Sequence, residues 1–122
     1  TEGGVLGGLV ELAQACGHDL RVEQARIPLS AEAAGACAVF GVDPYWTLAE
    51  GALIATARPE HAGAVLDALR DEGIAAAEVG EVVPGSGKLR LTAPDGGVRA
   101  IETPEPDPYW PAYERAVAEG WE

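Results

Sequence analysis

Apolar residues recur along this chain at two different spacings, and glycines separate the segments that carry them. Segments with the three-to-four-residue spacing of helices end near Gly17, Gly41 and Gly73. Other apolar segments are short, or alternate with polar residues as half-buried strands do. Helices and strands in alternating order predict an α/β (α+β) fold, a three-layer α/β/α sandwich with a mixed sheet.

The elements follow from these spacings and from local stop signals. Helices are predicted from the first glycines to Gly17, from Ser30 to Gly41, and over 59–72 and 113–121. Strands are predicted at 20–24, 51–57, 74–83, 88–92 and 98–102, the last two joined as a hairpin by a Pro-Asp-Gly-Gly loop. Asp-Pro-Tyr-Trp occurs at 43–46 and 107–110, and both copies are predicted to start helices.

Some elements carry explicit predictions of burial. The run GALIATA at 51–57 is almost continuously apolar, which predicts a central strand covered on both faces. The second helix is predicted to turn its small apolar residues inward, namely Ala33, Ala34, Cys37, Ala38 and Phe40.

The formal charge of the chain is −12, from 20 acidic and 8 basic residues among 122. Such a field repels phosphate backbones and anionic lipid, so neither nucleic acid nor membrane is an expected partner. Lys88 is the one lysine of the chain, and all the other basic residues are arginines. This preference for arginine over lysine, together with the surplus of acidic residues, favours a cytoplasmic protein of a salt-loving organism. An ordinary acidic domain is the alternative. The length fits one domain.

Few side chains have the spacing of a metal-binding, catalytic or nucleotide-binding site. Cys16 and Cys37 are too few for a zinc ligand set, so they are predicted to be buried thiols and no metal site is expected. His18 and His61 have no carboxylate or thiol partner at triad spacing. Residues 85–88, Gly-Ser-Gly-Lys, are too short for a nucleotide-binding P-loop and are predicted to link two strands.

The glycine-rich start is the most informative stretch. Glycines that open a helix leave N–H groups at the positive end of its dipole, which suits a phosphate or a carboxylate, although a plain turn has the same sequence. Gly7 and Gly8 weaken the first turns and predict a close approach, by another backbone or by a ligand. A methyl group added at Gly4 is therefore expected to obstruct a ligand with little loss of stability.

Residues 1–17, 27–69 and 75–101 resemble, in this order, the C-terminal domain of the AIR synthase (PurM-like) superfamily. The motifs are Thr-Glu-Gly-Gly at 1–4, the stretch 40–53 and Gly-Glu-Val at 80–82. Within the superfamily, the resemblance is nearest to the hydrogenase maturation factor HypE and AIR synthase-related proteins.

The resemblance implies a partly ferredoxin-like domain over residues 1–102, with 103–122 as a proline-rich acidic tail whose terminal helix packs on the same domain. It also implies that an N-terminal domain, absent from this chain, binds ATP and Mg²⁺ and dimerises. That domain is then the partner of this chain, the full-length protein is a homodimer, and no cofactor is expected on this fragment.

The implied chemistry is ATP-dependent activation of an amide-type oxygen. By position, Glu2 is the implied catalytic residue, and the implied ligand- or phosphate-binding residues are Thr1, Glu2, Gly3, Gly4, Glu50 and Gly51. The chain by itself is not expected to catalyse a reaction.

Two departures from the family pattern keep a second function open. Ala49 and Ala52 stand where the family has asparagine and lysine. They favour a non-catalytic binding or regulatory module of the same fold, whereas the intact Thr-Glu-Gly-Gly favours an enzyme.

Overall fold

A computed structural model describes residues 2–121 of the chain. The helices are α1 (Gly4–Cys16), α2 (Ala31–Phe40), α3 (Pro59–Asp71) and α4 (Tyr109–Ala118), with a short 3₁₀ turn at Gln24–Arg26. The strands are β1 (Asp19–Glu23), β2 (Gly80–Val83), β3 (Leu89–Thr92) and β4 (Val98–Ile101). The described residues form two compact units, residues 2–12, 29–54 and 103–121 in the first and 13–28 and 55–102 in the second.

The second unit contains a four-stranded mixed sheet in the order β2-β1-β3-β4. Strand β1 pairs antiparallel with β2 and parallel with β3, and β3 pairs antiparallel with β4. The predicted hairpin is confirmed, with Asp95 in its turn accepting a hydrogen bond from the Gly97 N–H at 2.9 Å. Alternating side chains of β1 and β3 are buried, namely Leu20, Val22, Leu89 and Leu91. The mixed sheet confirms the predicted α/β class.

Asp19, at the start of β1, ties the 85–88 loop to the sheet. It is 1% exposed, and its Oδ1 accepts hydrogen bonds from the backbone N–H groups of Ser86 at 2.8 Å and Lys88 at 3.1 Å. The Nε of Arg90 donates to Oδ2 at 2.6 Å. A Cβ at Gly85 would overlap the Asp19 side chain, so only glycine fits there. The loop predicted at 85–88 thus exists, and it is closed around a buried carboxylate.

The pKa of Asp19 is lowered from 3.8 to about 2. The backbone hydrogen bond from Lys88 is the largest cause, followed by that from Ser86, and both favour the ionised form. Burial acts in the opposite direction, and Arg90 adds a further lowering through its hydrogen bond and its charge.

The first unit is built from helices. Leu6, Leu9 and Val10 of α1 are buried. Helix α2 begins and ends as predicted, because the Ser30 hydroxyl accepts a hydrogen bond from the Ala33 N–H at 3.1 Å and Gly41 adopts a left-handed conformation with φ 65°.

Helix α4 starts earlier than the predicted 113–121, and its start confirms the prediction that the second Asp-Pro-Tyr-Trp, at 107–110, begins a helix. Asp107 Oδ1 accepts a hydrogen bond from the Tyr109 N–H at 2.8 Å, which starts the helix at Tyr109. The upstream copy of the same sequence, at 43–46, makes a single turn, in which the Trp46 N–H donates a hydrogen bond to the Asp43 carbonyl at 3.2 Å. This agrees with the short helical turn predicted there, and the turn does not continue into a helix.

Residues 51–57 form no strand, and the prediction of a central strand there is wrong. Leu53 is 87% exposed, and no residue of the segment pairs with a strand. Both sides of β1 are already hydrogen-bonded, to β2 and to β3, and hydropathy alone does not supply a partner strand. The strand predicted at 74–83 is likewise shortened to Gly80–Val83.

Two predictions of burial also fail. Helix α2 has no buried residue: Ala34 and Cys37 are half-buried, and the other residues of its predicted inner side, Ala33, Ala38 and Phe40, are exposed. Small apolar residues on every side give this helix no one-sided apolar face. Cys16 is exposed at the end of α1, where the helix leaves the buried region.

Helix α3 confirms the predicted helix at 59–72 and has a weak amphipathic stripe. Its inner residues Ala62, Leu66 and Leu69 are half-buried, and Val65 is 45% exposed. No helix within residues 2–121 is long and apolar enough to cross a membrane.

The charge of −12 predicts a salt-dependent stability. At about 0.01 M ionic strength the Debye length is roughly 30 Å, so acidic groups across the molecule repel one another, and molar salt screens them. We expect the melting temperature to rise by about 5 °C or more between dilute buffer and 1 M KCl, which corresponds to roughly 1 kcal/mol. Calorimetry at constant pH measures this, and a flat profile would remove the physical support for a halophilic origin.

Candidate functional site

The start of α1 is a turn of two consecutive glycines in the left-handed region, Gly3 with φ 77° and Gly4 with φ 65°. Residues with a side chain are strained in this conformation. Both glycines are buried. A Cβ on Gly4 would lie 2.5 Å from the carbonyl oxygen of Tyr45 and 2.8 Å from that of Thr47. The left-handed backbone conformation, and at Gly4 the lack of room for a Cβ, therefore require glycine at these positions. We call Gly3 and Gly4 the glycine turn.

The close approach predicted for the first turns of α1 is made by the segment that follows α2. The Leu6 N–H donates a hydrogen bond to the Tyr45 carbonyl at 3.0 Å. Ile54 Cδ1 would lie 3.0 Å from a Cβ on Gly8. The close approach predicted at Gly8 is thus made by a flexible side chain, which is neither of the alternatives left open. At Gly7 the nearest atom to an added Cβ is the Glu2 carbonyl oxygen at 3.8 Å, so the close approach predicted there is wrong. Another backbone approaches Gly4 instead.

The N–H of Gly3 already has an anionic acceptor. It donates to Asp107 Oδ2 at 2.9 Å, across 104 residues of sequence. The other oxygen of this carboxylate, Oδ1, accepts hydrogen bonds from the Thr47 hydroxyl at 3.2 Å and from the Tyr109 N–H at 2.8 Å. Thr47 is buried and Asp107 is half-buried. A carboxylate of the chain itself thus occupies the helix start at which the sequence predicts an anion.

Sequence reasoning missed Asp107, although the repeated Asp-Pro-Tyr-Trp pointed to it. Asp43 makes the same local turn, because its Oδ1 accepts a hydrogen bond from the Tyr45 N–H at 2.8 Å. The two copies therefore share their local geometry. Only the second copy places its other carboxylate oxygen on the glycine turn.

The remaining predicted site residues are spread out. Glu2 is exposed beside the glycine turn, and Thr1 lies outside the described residues. Glu50 and Gly51 are exposed, and within residues 2–121 no recorded hydrogen bond or ion pair joins them to the glycine turn. Their roles stay predictions.

Clusters of metal ligands and unpaired cations are features that help a protein to hold a nucleotide with its metal ion. Within residues 2–121 no group of three or more His, Cys, Asp or Glu side chains is placed to hold a cation. The Gly3 N–H is engaged by Asp107, and the one lysine of the chain, Lys88, is paired with Glu102 at 2.6 Å.

The first unit also has an apolar cavity of about 480 Å³ next to α2 and α4. Aromatic rings line it, and Phe40 and Trp121 lie with ring centroids 5.5 Å apart. Cys37 is the thiol in its lining, and burial, with a smaller contribution from the Asp43 carboxylate, raises the pKa of this thiol. A thiol with a raised pKa is a poor nucleophile, so the cavity offers packing and no evident chemistry.

Comparison with known families decides the relationship. The family model described as "AIR synthase related protein, C-terminal domain" matches residues 1–92, three quarters of the chain. The chain belongs to this family. The resemblance predicted from the motifs at 1–4, 40–53 and 80–82 is thereby confirmed. The match ends before α4, so Asp107 lies outside the residues that the AIR synthase related family model covers.

The curated relatives are longer proteins. The carbamoyl dehydratase HypE of Rhodobacter capsulatus is 35% identical over 105 residues, which are 84% of this chain and 31% of that protein. The carbamoyl dehydratase HypE of Escherichia coli K12 is 34% identical over 110 residues, which are 88% of this chain and 32% of that protein. The chain thus spans about a third of the length of these relatives.

Solved structures agree in fold. A hydrogenase maturation protein HypE in complex with ATP matches with a TM-score of 0.77 and 28% identity, over 88% of this chain and 35% of that one. The HypE of E. coli matches with a TM-score of 0.74 and 33% identity, over 88% of this chain and 34% of that one. The predicted PurM-type C-terminal fold is therefore confirmed.

Proposed function

We propose that this chain is the substrate-side C-terminal domain of a HypE-like, AIR synthase-related protein that uses ATP. The family match and the likeness to a HypE structure that contains ATP support this proposal. The relatives extend well beyond the third that this chain matches, and their remaining length has room for an ATP-binding domain.

The observation that carries the proposal is the glycine turn. Two buried, left-handed glycines open α1 and direct the Gly3 N–H at an acceptor that is a carboxylate. An N–H group at the positive end of a helix, facing an anion, is the arrangement that proteins use to hold phosphates. The same turn lies in the motif that identifies the family, at residues 1–4.

The proposed roles follow the family positions. Glu2, exposed beside the turn, acts on the reacting groups, and the turn with Thr1 faces the phosphate or substrate. Glu50 and Gly51 are the other proposed ligand- or phosphate-binding residues of this site. The parent protein supplies ATP and Mg²⁺ through its own N-terminal domain, dimerises through it and works in the cytoplasm. The relatives are named carbamoyl dehydratases, and for this protein we propose activation of an amide-type oxygen in the same way.

Substitution of Glu2 tests the catalytic role in a protein that contains both domains. We expect Glu2→Ala to lower ATP-dependent turnover by about 10²-fold or more, since a positioned carboxylate contributes on this order. Glu2 is exposed and makes no recorded hydrogen bond within residues 2–121, so the melting temperature should not change. Glu11→Ala, also exposed on α1, is the matched control. Equal turnover of both variants and wild type would contradict the catalytic role.

The second candidate function is a non-catalytic binding or regulatory module. Ala49 and Ala52 favour it, because they lack the polar side chains that the family carries at these positions. This candidate predicts that the two-domain protein binds ATP but turns nothing over, with or without Glu2. Turnover that depends on Glu2 would exclude it.

A further inference from the structure

We propose that the apolar cavity of the first unit binds a small organic cation of the quaternary ammonium class, with the alkylated ammonium group among the aromatic rings of the lining. The cavity measures about 480 Å³, within the range of small-molecule sites in proteins. None of its lining residues belongs to the glycine turn. The inference therefore does not depend on the proposed function.

Aromatic rings are concentrated around this cavity. Four of the seven aromatic residues of the chain line it, namely Phe40, Tyr109, Tyr113 and Trp121. The ring centroids of Phe40 and Trp121 lie 5.5 Å apart, and those of Tyr109 and Tyr113 lie 6.0 Å apart with their planes inclined by 15°. The face of an aromatic ring attracts a cation that lies within about 6 Å of its centroid. Several rings around one space are the arrangement by which proteins hold quaternary ammonium groups.

The charge of the first unit favours a cation over an anion. Its described residues, 2–12, 29–54 and 103–121, include nine acidic residues and one basic residue, Arg115. All the other basic residues of the chain lie in the second unit. A negative potential of this kind raises the local concentration of cations and repels anions.

Two carboxylates act on the lining itself. Asp107 accepts a hydrogen bond from the hydroxyl group of Thr47, a lining residue, at 3.2 Å. Burial raises the pKa of the Cys37 thiol, and the charge of Asp43 is the second cause, so the field of this carboxylate reaches the lining. Within residues 2–121 no recorded ion pair includes Asp43 or Asp107. A bound cation would therefore face negative charge that no described basic side chain pairs with.

The lining selects an alkylated ammonium group over a primary one. A primary ammonium group has three N–H donors that require acceptors, whereas a quaternary group has none. Within residues 2–121 the lining includes no carboxylate, and the Thr47 hydroxyl donates its hydrogen to Asp107. Methyl groups can bury their surface against the aliphatic and aromatic carbon of the lining without leaving a donor unpaired.

Three small probes separate the contribution of charge from that of shape. Choline carries a trimethylammonium group, 3,3-dimethylbutan-1-ol is its neutral analogue, and ethanolamine has the positive charge without the methyl groups. Each probe is titrated into the ¹⁵N-labelled 122-residue chain at constant ionic strength, and the amide shifts of Ala116 and Val117 in the lining are followed. We expect choline to reach half-saturation at a concentration about tenfold lower than either other probe, the factor expected for a desolvated cation among several rings.

Two tryptophan variants make the same chemical change at the cavity and away from it. Trp121 lines the cavity and is 55% exposed, whereas Trp110 is not among the lining residues and is 50% exposed. We expect Trp121→Leu to raise the half-saturating choline concentration about fivefold and to change that of 3,3-dimethylbutan-1-ol little, because leucine keeps an apolar surface but has no ring. Trp110→Leu should match wild type with both probes.

Equal half-saturation by choline and 3,3-dimethylbutan-1-ol would overturn the proposal in favour of a neutral apolar ligand. Equal half-saturation by choline and ethanolamine would overturn it in favour of unspecific attraction by the acidic surface. Amides of Ala116 and Val117 that respond to no probe would overturn it as well, as would a Trp121→Leu variant that binds choline like wild type. If Trp121→Leu does not fold, the comparison of the three probes on wild type decides.

Discussion

Replacing Gly4 with alanine is expected to destabilise the chain by about 3 kcal/mol or more. The left-handed backbone costs a residue with a Cβ roughly 1–2 kcal/mol, and forcing an atom into a packed site costs about 1–3 kcal/mol. Here the new methyl group would meet the carbonyl oxygens of Tyr45 and Thr47 at 2.5 and 2.8 Å, and backbone atoms cannot swing aside as a flexible side chain does.

Gly7→Ala is the matched control for this prediction. Gly7 lies inside α1 without a positive φ, and the nearest atom to an added Cβ is the Glu2 carbonyl oxygen at 3.8 Å. Alanine is the better helix former, so this variant should be neutral or gain up to about 1 kcal/mol. Urea unfolding at neutral pH measures both variants. Equal midpoints for Gly4→Ala and wild type would show that the glycine turn is not packed as described.

This prediction corrects the expectation from sequence that a methyl group at Gly4 obstructs only a ligand. The space that a ligand was expected to need is filled by residues 45–47 of the same unit. A loss of activity in Gly4→Ala would therefore follow from instability. Glu2, which is exposed, is the residue at which catalysis and folding can be separated.

Replacing Asp19 with asparagine is expected to destabilise the fold at neutral pH and to have a much smaller effect at acidic pH. The carboxylate is ionised in the folded state with a pKa of about 2, below its ordinary 3.8, so the folded state binds its proton less readily than the unfolded state. Its stabilisation is fully present above about pH 4 and is lost as the pH falls through about 2. Asp19→Asn should thus be much less stable than wild type at pH 7, and the difference should shrink between about pH 4 and pH 2.

Urea midpoints at several pH values measure this effect, and Asp67→Asn is the control. Asp67 pairs with Arg70 at 2.6 Å on the exposed side of α3, and exposed pairs of this kind contribute little. Its variant should follow the wild-type profile at every pH. A constant difference between Asp19→Asn and wild type from pH 7 to pH 2 would contradict the assignment of the lowered pKa to Asp19.

Local chemistry explains the part of the fold that the sequence predicted well. Ser30 and Gly41 bound α2 through a side-chain cap and a left-handed residue, both of which are encoded within a few positions. The hairpin follows from the Pro-Asp-Gly-Gly loop in the same way. Each of these signals acts over neighbouring residues, so each is visible in a single sequence.

The wrong or missing predictions concern residues whose structure depends on a partner far away in the sequence. Residues 51–57 have the hydropathy of a strand, but β1 has its two neighbours in β2 and β3. Asp19 is a charged residue at the start of a strand, and its burial depends on a loop 67 residues away. The acceptor of the Gly3 N–H is 104 residues away. The periodicity of apolar residues does not predict contacts between residues so far apart in the sequence. For Asp107, the repeated tetrapeptide drew attention to the residue but did not indicate that Gly3 is its partner.

Calorimetric titration of MgATP is the experiment that separates the proposed function from its alternatives, applied to the 122-residue chain and to the same chain joined to the part of a HypE relative that it does not match. We expect no saturable heat for the chain by itself, because its Gly3 N–H is engaged by Asp107 and no cation site is found within residues 2–121. We expect saturable binding when the two parts are joined. Micromolar binding of ATP to the chain by itself would contradict the proposed function, since the nucleotide site would then lie within these residues.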